Sequence, residues 1–387
     1  MQKKIIIIIG AVVILLLLSV WAYLLFFGTP KNTDEIFSNF DMNGTEENFV
    51  ATTTEDTPKV DISQSKLRQL TTKPVAGFNT ITKQDGTSIL YAEMGTGHIY
   101  SINTSSGEEK RISGTTVAGV NTAVISQNGD YVALGTKSNR GVSLNIGKIS
   151  TSSNELLLKD FSTKVESFAI TSSGTDLLYT TKDATGLSGH SYNFKSNTDK
   201  TIFTLPFHEA VIQWGNEANS THYLYPKSTY LLEGYLYKVS NGKISRLPVS
   251  GYGLNALAND DIIAYSVNEN SEIKNYIFNQ KTQTTLPLSA TILPEKCLIA
   301  NVGYKVVCAW EPRSLPTEFP DQWYQGSLNF KDSIWNIYGD YSSVDLLVDT
   351  FGESGREIDI INIRLDDNEK AVYFINKNDN TLWMYEL

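Results

Sequence analysis

Short apolar segments recur at regular intervals along most of this 387-residue chain, and their spacing limits the folds it can adopt. From residue 78 onward, runs of four to seven residues rich in Val, Ile, Leu, Tyr and Phe alternate with turns rich in Gly, Asn, Asp and Ser. Such short runs predict β-strands rather than helices. The aligned first strands of the repeated units begin at Phe78, Val120, Val165, Ala210, Leu254, Lys296 and Ile358. Five of the six spacings lie between 42 and 45 residues, which is typical of a unit of four antiparallel strands.

The two ends of the repetitive region complement each other. Residues 66–72 have the pattern of a unit's last strand, but no earlier strands of that unit precede them. The last unit has only three strands, at residues 358–364, 370–376 and 381–387. Pairing the first segment with the last unit hides the edges that an open sheet would expose. We therefore predict an all-β fold for residues 66–387, a seven-bladed β-propeller of four-stranded blades closed by its N-terminal strand.

Two units show the local pattern most clearly. Residues 125–134 read Ile-Ser-Gln-Asn-Gly-Asp-Tyr-Val-Ala-Leu, and residues 170–179 read Ile-Thr-Ser-Ser-Gly-Thr-Asp-Leu-Leu-Tyr. They resemble the repeats of WD40-like and TolB-like β-propellers. The Trp-Ser-Pro-Asp-Gly turn common in that family is reduced to Ser-x-x-Gly here, no Trp-Asp pair ends a blade, and the separate α/β domain of TolB has no counterpart. The resemblance implies a propeller fold and a habit of binding other proteins, and it names no partner.

An apolar run of 23 residues begins at Ile5 and ends at Phe27, interrupted only by Gly10 and Ser19. At about 1.5 Å per residue a helix of this length reaches roughly 34 Å, enough to cross the hydrocarbon core of a membrane. The alternative is a cleaved signal peptide, whose apolar region is shorter and ends in a small-residue cleavage site. Because this run ends in aromatic residues instead, we predict a transmembrane helix at residues 5–27.

Charges around the apolar run predict its orientation. Lys3 and Lys4 precede it, whereas only Lys31 follows before a stretch of acidic residues. The positive-inside rule then places residues 1–4 in the cytoplasm and everything after the helix outside. Residues 28–65 are rich in Thr, Asn, Asp and Glu without an apolar period, so we predict a disordered acidic tether. The expected location is the cell membrane, with a single-pass anchor and an extracytoplasmic propeller.

The chain has two cysteines, Cys297 and Cys308, on either side of a predicted turn at residues 302–303. A hairpin centred on that turn places them opposite each other, at a Cα separation of about 4.5–5.5 Å that a disulfide can bridge. We predict the disulfide, which an extracytoplasmic compartment allows. The alternative is a pair of buried thiols that pack as small apolar side chains.

Sequence motifs for chemistry are weak throughout the chain. The four histidines do not have the spacing of a zinc site, and residues 141–148 lack the Ser or Thr of a phosphate-binding loop and suit a strand better. Residues 366–369 combine three acids with an Asn, but they lie at a predicted turn, where such residues are expected. We predict no catalytic residues, no metal and no cofactor. The net charge of −10 argues against nucleic acid as a partner.

One unit departs from the others, because the sixth spacing is 62 residues. The excess lies in residues 311–331, between the second and third strands of that unit. Long ordered loops in compact folds are often functional, and Trp, Tyr and Arg dominate the energetics of protein interfaces. The candidate interaction residues in this loop are Arg313, Phe319, Trp323, Tyr324 and Gln325. The alternative is that its aromatic side chains only pack the loop onto the propeller.

These observations predict a membrane-anchored, extracytoplasmic propeller that binds a protein or peptide of the cell envelope, or serves as a scaffold for one. Antiparallel alternation places residues 311–331, 349–357 and 226–233 on one face, which we expect to carry the binding site. A first alternative is a carbohydrate-binding protein, or a hydrolase or lyase, that uses acidic residues near the central channel. A second alternative is a structural envelope component that associates with itself.

Overall fold

The computed structural model describes residues 65–83, 86–139, 141–149, 156–300, 305–338 and 343–387. The predicted transmembrane helix at residues 5–27 lies outside the described residues, as does nearly all of the predicted tether. Within the described ranges, no helix is both long enough and apolar enough to span a bilayer.

The described part of the chain is built almost entirely from β-strands. The first thirteen are β1 (Leu67–Gln69), β2 (Val75–Lys83), β3 (Gly86–Glu93), β4 (Ile99–Asn103), β5 (Glu109–Ser113), β6 (Thr122–Ile125), β7 (Tyr131–Ser138), β8 (Gly141–Lys148), β9 (Leu157–Val165), β10 (Phe168–Ile170), β11 (Asp176–Lys182), β12 (Leu187–Asn193) and β13 (Asp199–Leu205). The others are β14 (Ala210–Gln213), β15 (His222–Pro226), β16 (Glu233–Ser240), β17 (Lys243–Ala258), β18 (Ile262–Glu269), β19 (Glu272–Asn279), β20 (Thr284–Leu288), β21 (Cys297–Ile299), β22 (Val306–Trp310), β23 (Ser333–Ile337), β24 (Val344–Val348), β25 (Ile360–Leu365), β26 (Ala371–Asn376) and β27 (Leu382–Glu386). Three short helical segments interrupt them: a 3-10 turn at Pro294–Lys296 and α-helices at Asp321–Tyr324 and Thr350–Ser354.

The strands form antiparallel sheets whose neighbours follow one another in sequence. Among the described residues, four sheets of four strands have the orders β2-β3-β4-β5, β6-β7-β8-β9, β10-β11-β12-β13 and β21-β22-β23-β24. A fifth sheet has the order β1-β27-β26-β25 and a sixth joins the seven strands β14 to β20. In the sixth sheet, the 16-residue β17 pairs with β16 through its first part and with β18 through its second. This succession of four-stranded antiparallel units is the architecture of a β-propeller.

Strand β1 completes the sheet formed by the C-terminal end of the chain. Leu67 pairs with Tyr385 and Gln69 pairs with Trp383, and the backbone N–H of Leu382 donates to the Thr71 hydroxyl at 3.0 Å. Leu67 is buried in the same apolar cluster as Trp383. The prediction that residues 66–72 supply the fourth strand of the last unit is confirmed.

The apolar core lies between neighbouring sheets and not at one central place. Interior strands such as β18 and β26 are buried on both faces over most of their length. This explains why these strands read as continuous apolar runs instead of alternating ones. Adjacent sheets approach closely at their first strands: a Cβ atom on Gly77 of β2 would overlap the carbonyl oxygen of Ala123 in β6, so only glycine fits there.

The sixth predicted unit has the features expected from its sequence. Cys297 and Cys308 are paired in register between β21 and β22 and form the predicted disulfide, with a Cα separation of 4.0 Å. The long insertion lies between β22 and β23, as predicted. We refer to residues 311–331 as the cap.

Candidate functional site

The cap is a folded segment with an apolar core of its own. Phe319 and Trp323 are 1% and 5% exposed, and they cluster with Leu293 and Phe330. The rings of Phe319 and Phe330 meet edge to face at a centroid distance of 6.1 Å. Trp323 lies on the short helix Asp321–Tyr324. These side chains hold the segment in one conformation because leaving the cluster would return large apolar surfaces to water.

Polar contacts attach the cap to segments from three other parts of the chain. The backbone N–H of Tyr230 donates to the Asp321 carboxylate at 2.8 Å, and the Lys377 ammonium donates to the carbonyl of Trp323 at 2.8 Å. Lys331 forms an ion pair with Glu357 at 2.5 Å. The cap therefore lies on the same face as residues 226–233 and 349–357, as the strand alternation predicted.

Three buried charges lie directly beneath the cap. The ammonium of Lys296 contacts the carboxylate of Asp332, and it lies 2.7 Å from Asp359 Oδ1. The exposed fractions of these side chains are 2%, 0% and 0%. Trp323 Nε1–H donates to Asp359 Oδ2 at 3.0 Å, which ties the cap helix to this group. Lys377 lies 3.8 Å from Asp359 Oδ2, so two lysines balance two carboxylates. Buried charges are tolerated when they are paired and hydrogen-bonded in this way.

Burial changes the ionisation of this group. Loss of hydration raises the pKa of Asp332 to about 6, opposed by the Lys296 charge and reinforced by the Asp359 charge. Loss of hydration also lowers the pKa of Lys377, although Asp359 acts in the opposite direction. One oxygen, Asp332 Oδ1, is buried without a hydrogen-bond partner among the described residues. A buried carboxylate oxygen without a partner is uncommon in proteins.

A second polar group joins the cap to strand β17. The Tyr324 hydroxyl donates to Glu295 Oε1 at 2.6 Å, and Asn255 Nδ2 donates to the same oxygen at 2.7 Å. The hydroxyl of the fully buried Tyr225 adds a longer bond of 3.4 Å. Burial raises the pKa of Glu295 above its usual range, while these three hydrogen bonds act to lower it. Tyr324 thus fixes the end of the cap helix to the sheet below it.

Exposed apolar side chains lie next to the cap on the same face. Leu231, Leu232 and Tyr252 are 65%, 63% and 53% exposed, and we call them the apolar rim. They form one neighbourhood because the N–H of Gly253 donates to the carbonyl of Leu232 at 3.1 Å. The hydrogen bond between Tyr230 and Asp321 places this neighbourhood against the cap. Contiguous exposed apolar side chains of this size often mark interaction sites.

A cavity of about 430 Å³ is lined by residues from strands of five sheets, namely β2, β6, β10, β21 and β25. Arg364 of β25 projects into it, and its guanidinium has neither a hydrogen bond nor an ion pair within the described ranges. The ring of Phe78 lies 5.8 Å away. Arg364 is exposed to solvent, and an arginine stays protonated at physiological pH.

Acidic residues from one turn also line this cavity. The carboxylate of Asp366 accepts the backbone N–H groups of Lys370 and Ala371, which is a turn-forming role. Asp367 accepts from the Gln127 amide at 3.3 Å. The interpretation of residues 366–369 as a turn therefore agrees with the contacts of Asp366.

The structure separates the five predicted interaction residues into two groups. Phe319 and Trp323 are buried inside the cap, and Tyr324 is partly buried with its hydroxyl on Glu295. Arg313 and Gln325 are exposed, and Arg313 donates to the carbonyl of Asn329 at 2.8 Å. The burial of the aromatic residues agrees with the alternative that they pack the loop onto the propeller. A role of the five residues in binding stays a prediction.

Comparison with known proteins identifies the fold. The sequence matches no protein-family model and no curated protein. An oligogalacturonate lyase from Vibrio parahaemolyticus matches with a TM-score of 0.56 at 13% identity, covering 84% of this chain and 94% of that one. This chain is a β-propeller. The β-propeller domain of the Trilobed protease from Pyrococcus furiosus matches with a TM-score of 0.50 at 10% identity, covering 81% of this chain and 93% of that domain. At these identities the likeness concerns the fold alone.

Proposed function

We propose that this β-propeller is an extracytoplasmic, membrane-tethered module that binds a partner protein through the face formed by the cap and the apolar rim. The observation that carries the proposal is the apolar rim, in which two adjacent leucines expose about two thirds of their surface. Exposing this much apolar surface is unfavourable unless a partner covers it. Tyr252 adds a residue type that is enriched at the centres of interfaces.

The rigidity of the cap supports the same proposal. Its core of Phe319, Trp323 and Phe330 and its bonds to Tyr230 and Lys377 fix the surface beside the rim. A surface that is already ordered loses little conformational entropy when a partner binds. The cap then holds the binding surface in place, and its exposed residues Gln325 and Arg313 contact the partner.

The charge beside the rim favours one kind of partner. Glu233 and Glu318 are exposed on the segments that flank the rim and the cap helix. The chain as a whole carries a net charge of −10. We therefore propose a partner segment with apolar side chains flanked by lysine or arginine, because complementary charge speeds association and favours the correct partner.

Crosslinking and affinity capture from membranes tests this function. The double variant Leu231→Asp/Leu232→Asp should lose the captured partner, and Gln325→Ala should weaken its capture. The matched control is Leu157→Asp, because Leu157 is 81% exposed on the outer strand β9 of another sheet. An unchanged set of partners for the double variant, with folding preserved by circular dichroism, would contradict the proposal.

We further propose that the propeller has seven blades. Strand β17 pairs on one side with β16 and on the other with β18, and the register shifts near Tyr252 on the β18 side. Dividing the seven-stranded sheet there gives two four-stranded units that share one long strand. Five separate four-stranded sheets and these two units make up the proposed ring.

The proposed anchor is the apolar run from Ile5 to Phe27, followed by the acidic tether.

The cavity around Arg364 supports a second candidate function, the binding of a small acidic ligand such as an acidic saccharide. An unpaired guanidinium in a walled cavity is suited to bind a carboxylate in a bidentate manner. Thermal shift measurements with acidic and neutral oligosaccharides would test it. Acidic ones should raise the unfolding midpoint of the wild-type chain, and Arg364→Gln should abolish the shift. Equal responses to neutral and acidic sugars would refute this candidate.

A further inference from the structure

The buried charges beneath the cap form a larger group than a single ion pair. Lys296 lies between two carboxylates, and the three side chains are at most 2% exposed. Its ammonium also faces aromatic rings, with Phe330 at 4.3 Å and Trp323 at 5.5 Å. Burying such a group costs hydration free energy, and a salt bridge in the interior often returns little net stability.

We propose that Lys296 and Asp332 become joined by an intramolecular amide bond, with Asp359 as the proton-transfer group. The site combines an amine, a carboxyl group in contact with it, a second carboxylate that touches the amine, and an environment closed to water. These are the components that direct condensation of an amine with a carboxylic acid requires.

The two oxygens of Asp332 have different surroundings, which assigns their roles. Oδ2 contacts Lys296 and accepts the backbone N–H of Ile360 at 2.7 Å. A fixed N–H of this kind stabilises negative charge on a carbonyl oxygen during attack at its carbon. Oδ1 has no hydrogen-bond partner among the described residues. Oδ2 therefore becomes the amide oxygen, and Oδ1 leaves.

The bond changes balance without any further reactant. Transfer of a proton from the Lys296 ammonium to Oδ2 of Asp332 gives a neutral amine and a neutral acid. The lone pair of Nζ attacks Cγ of Asp332, and Asp359 accepts a proton from the nitrogen. Oδ1 then receives the proton from Asp359 and the proton held by Oδ2, the C–Oδ1 bond breaks, and Oδ1 leaves as water while Oδ2 becomes the amide oxygen. The products are one amide, one water and the Asp359 carboxylate in its original state.

Asp359 is held in the position that this role needs. Its Oδ1 lies 2.7 Å from Lys296 Nζ, and Trp323 Nε1–H and the N–H of Phe330 donate to Oδ2 at 3.0 and 3.4 Å. After condensation the amide N–H can donate to Asp359, whose charge remains paired with Lys377 at 3.8 Å. Burial raises the pKa of Asp332 to about 6, which makes its neutral form accessible near neutral pH.

The product removes two unfavourable features of the buried group. The unpaired oxygen Oδ1 is lost, and one pair of buried charges becomes an uncharged amide. The bond also joins the 3-10 turn Pro294–Lys296 to the residue that precedes β23. It closes the base of the cap covalently and encloses the disulfide between Cys297 and Cys308.

Peptide mapping of the full chain tests the proposal. The protein is extracted in detergent, reduced, denatured and digested, and the peptides are measured by mass spectrometry. We expect a branched peptide that contains both Lys296 and Asp332 and has a mass deficit of one water, about 18 Da. The two separate peptides should be absent. Unlinked peptides of full mass from folded wild-type protein would overturn the proposal.

Variants distinguish the crosslink from other dehydration products. Lys296→Arg should give an Asp332 peptide of full mass, whereas a cyclic imide at Asp332 would keep the deficit and would refute the lysine's role. Asp332→Asn should still form the branched peptide, now by loss of ammonia, about 17 Da. Asp359→Asn should leave the chains unlinked. Because the wild-type peptide map decides by itself, a variant that fails to fold does not weaken the test.

Discussion

Tyr324 shows how a single hydroxyl couples the cap to the sheet beneath it. Its bond to Glu295 is 2.6 Å long and is sheltered from solvent. Tyr324→Phe removes this donor and leaves the partly buried Glu295 carboxylate with one hydrogen bond fewer. We expect the free energy of unfolding to fall by about 1–3 kcal/mol, the usual cost for a bond to a charged group.

The matched control for this substitution is Tyr235→Phe. The Tyr235 hydroxyl also donates to a glutamate, Glu233, at 2.7 Å, but this pair is exposed. Exposed pairs contribute little to stability, so denaturant unfolding should show almost no change for this variant. Equal effects of the two substitutions would mean that the Tyr324 bond is not sheltered by the cap.

Glu295 predicts a dependence of stability on pH. Because burial raises its pKa in the folded state, its contribution to stability is complete below its unfolded pKa and is lost as the pH rises through its folded pKa. The variant Glu295→Gln does not titrate at this position. Relative to this variant, the wild type should lose stability from about pH 4 upward, by about 1.4 kcal/mol for each unit of pKa difference. Urea unfolding at several pH values measures this difference, and a constant difference would contradict the assignment.

Individual residues of the site were only partly predictable from the sequence. The aromatic residues of the cap and the cysteine pair stood out because they are close together in the chain or symmetric about a turn. Lys296 gave no such signal, since its partners Asp332 and Asp359 follow 36 and 63 positions later. These three residues immediately precede β21, β23 and β25, and only the packing of those sheets brings the charges together. The apolar rim was missed for the same reason, because Tyr252 lies on β17 whereas the two leucines lie in the turn before β16.

Strand β1 contributes to stability out of proportion to its three residues. Deletion of residues 66–72 removes two buried leucines, Leu67 and Leu70, at about 1.5–3 kcal/mol each. It also exposes the edge of β27. We expect the thermal midpoint to fall by roughly 5–10 °C. Deletion of seven residues of the predicted tether, 52–58, is the control, and equal midpoints for the two deletions would refute the closing role of β1.

Strands and turns were the most predictable elements of the fold. The predicted first strands lie within a few residues of β2, β6, β10, β14, β21 and β25 because Gly, Asn and Asp mark the turns between apolar runs. The exception is β17, which continues through two predicted strands as one. Pro248, Gly251 and Gly253 lie between the two predicted strands and favour a break there, but strand pairing continues across them and β17 is one strand.

For the whole molecule, the proposed anchor determines where the binding face can act. The full chain should sediment with membranes and resist an alkaline wash, because a run of 23 apolar residues is long enough to span the bilayer. A variant that lacks residues 5–27 should appear in the soluble fraction.

In bacterial spheroplasts that produce the full chain, added protease should digest the propeller, since Lys3 and Lys4 favour a cytoplasmic N-terminus. A cytoplasmic marker protein must stay intact in the same sample. A full chain that is soluble, or one that is protected from the protease, would contradict the anchored extracytoplasmic arrangement, and the partner would then have to be sought inside the cell.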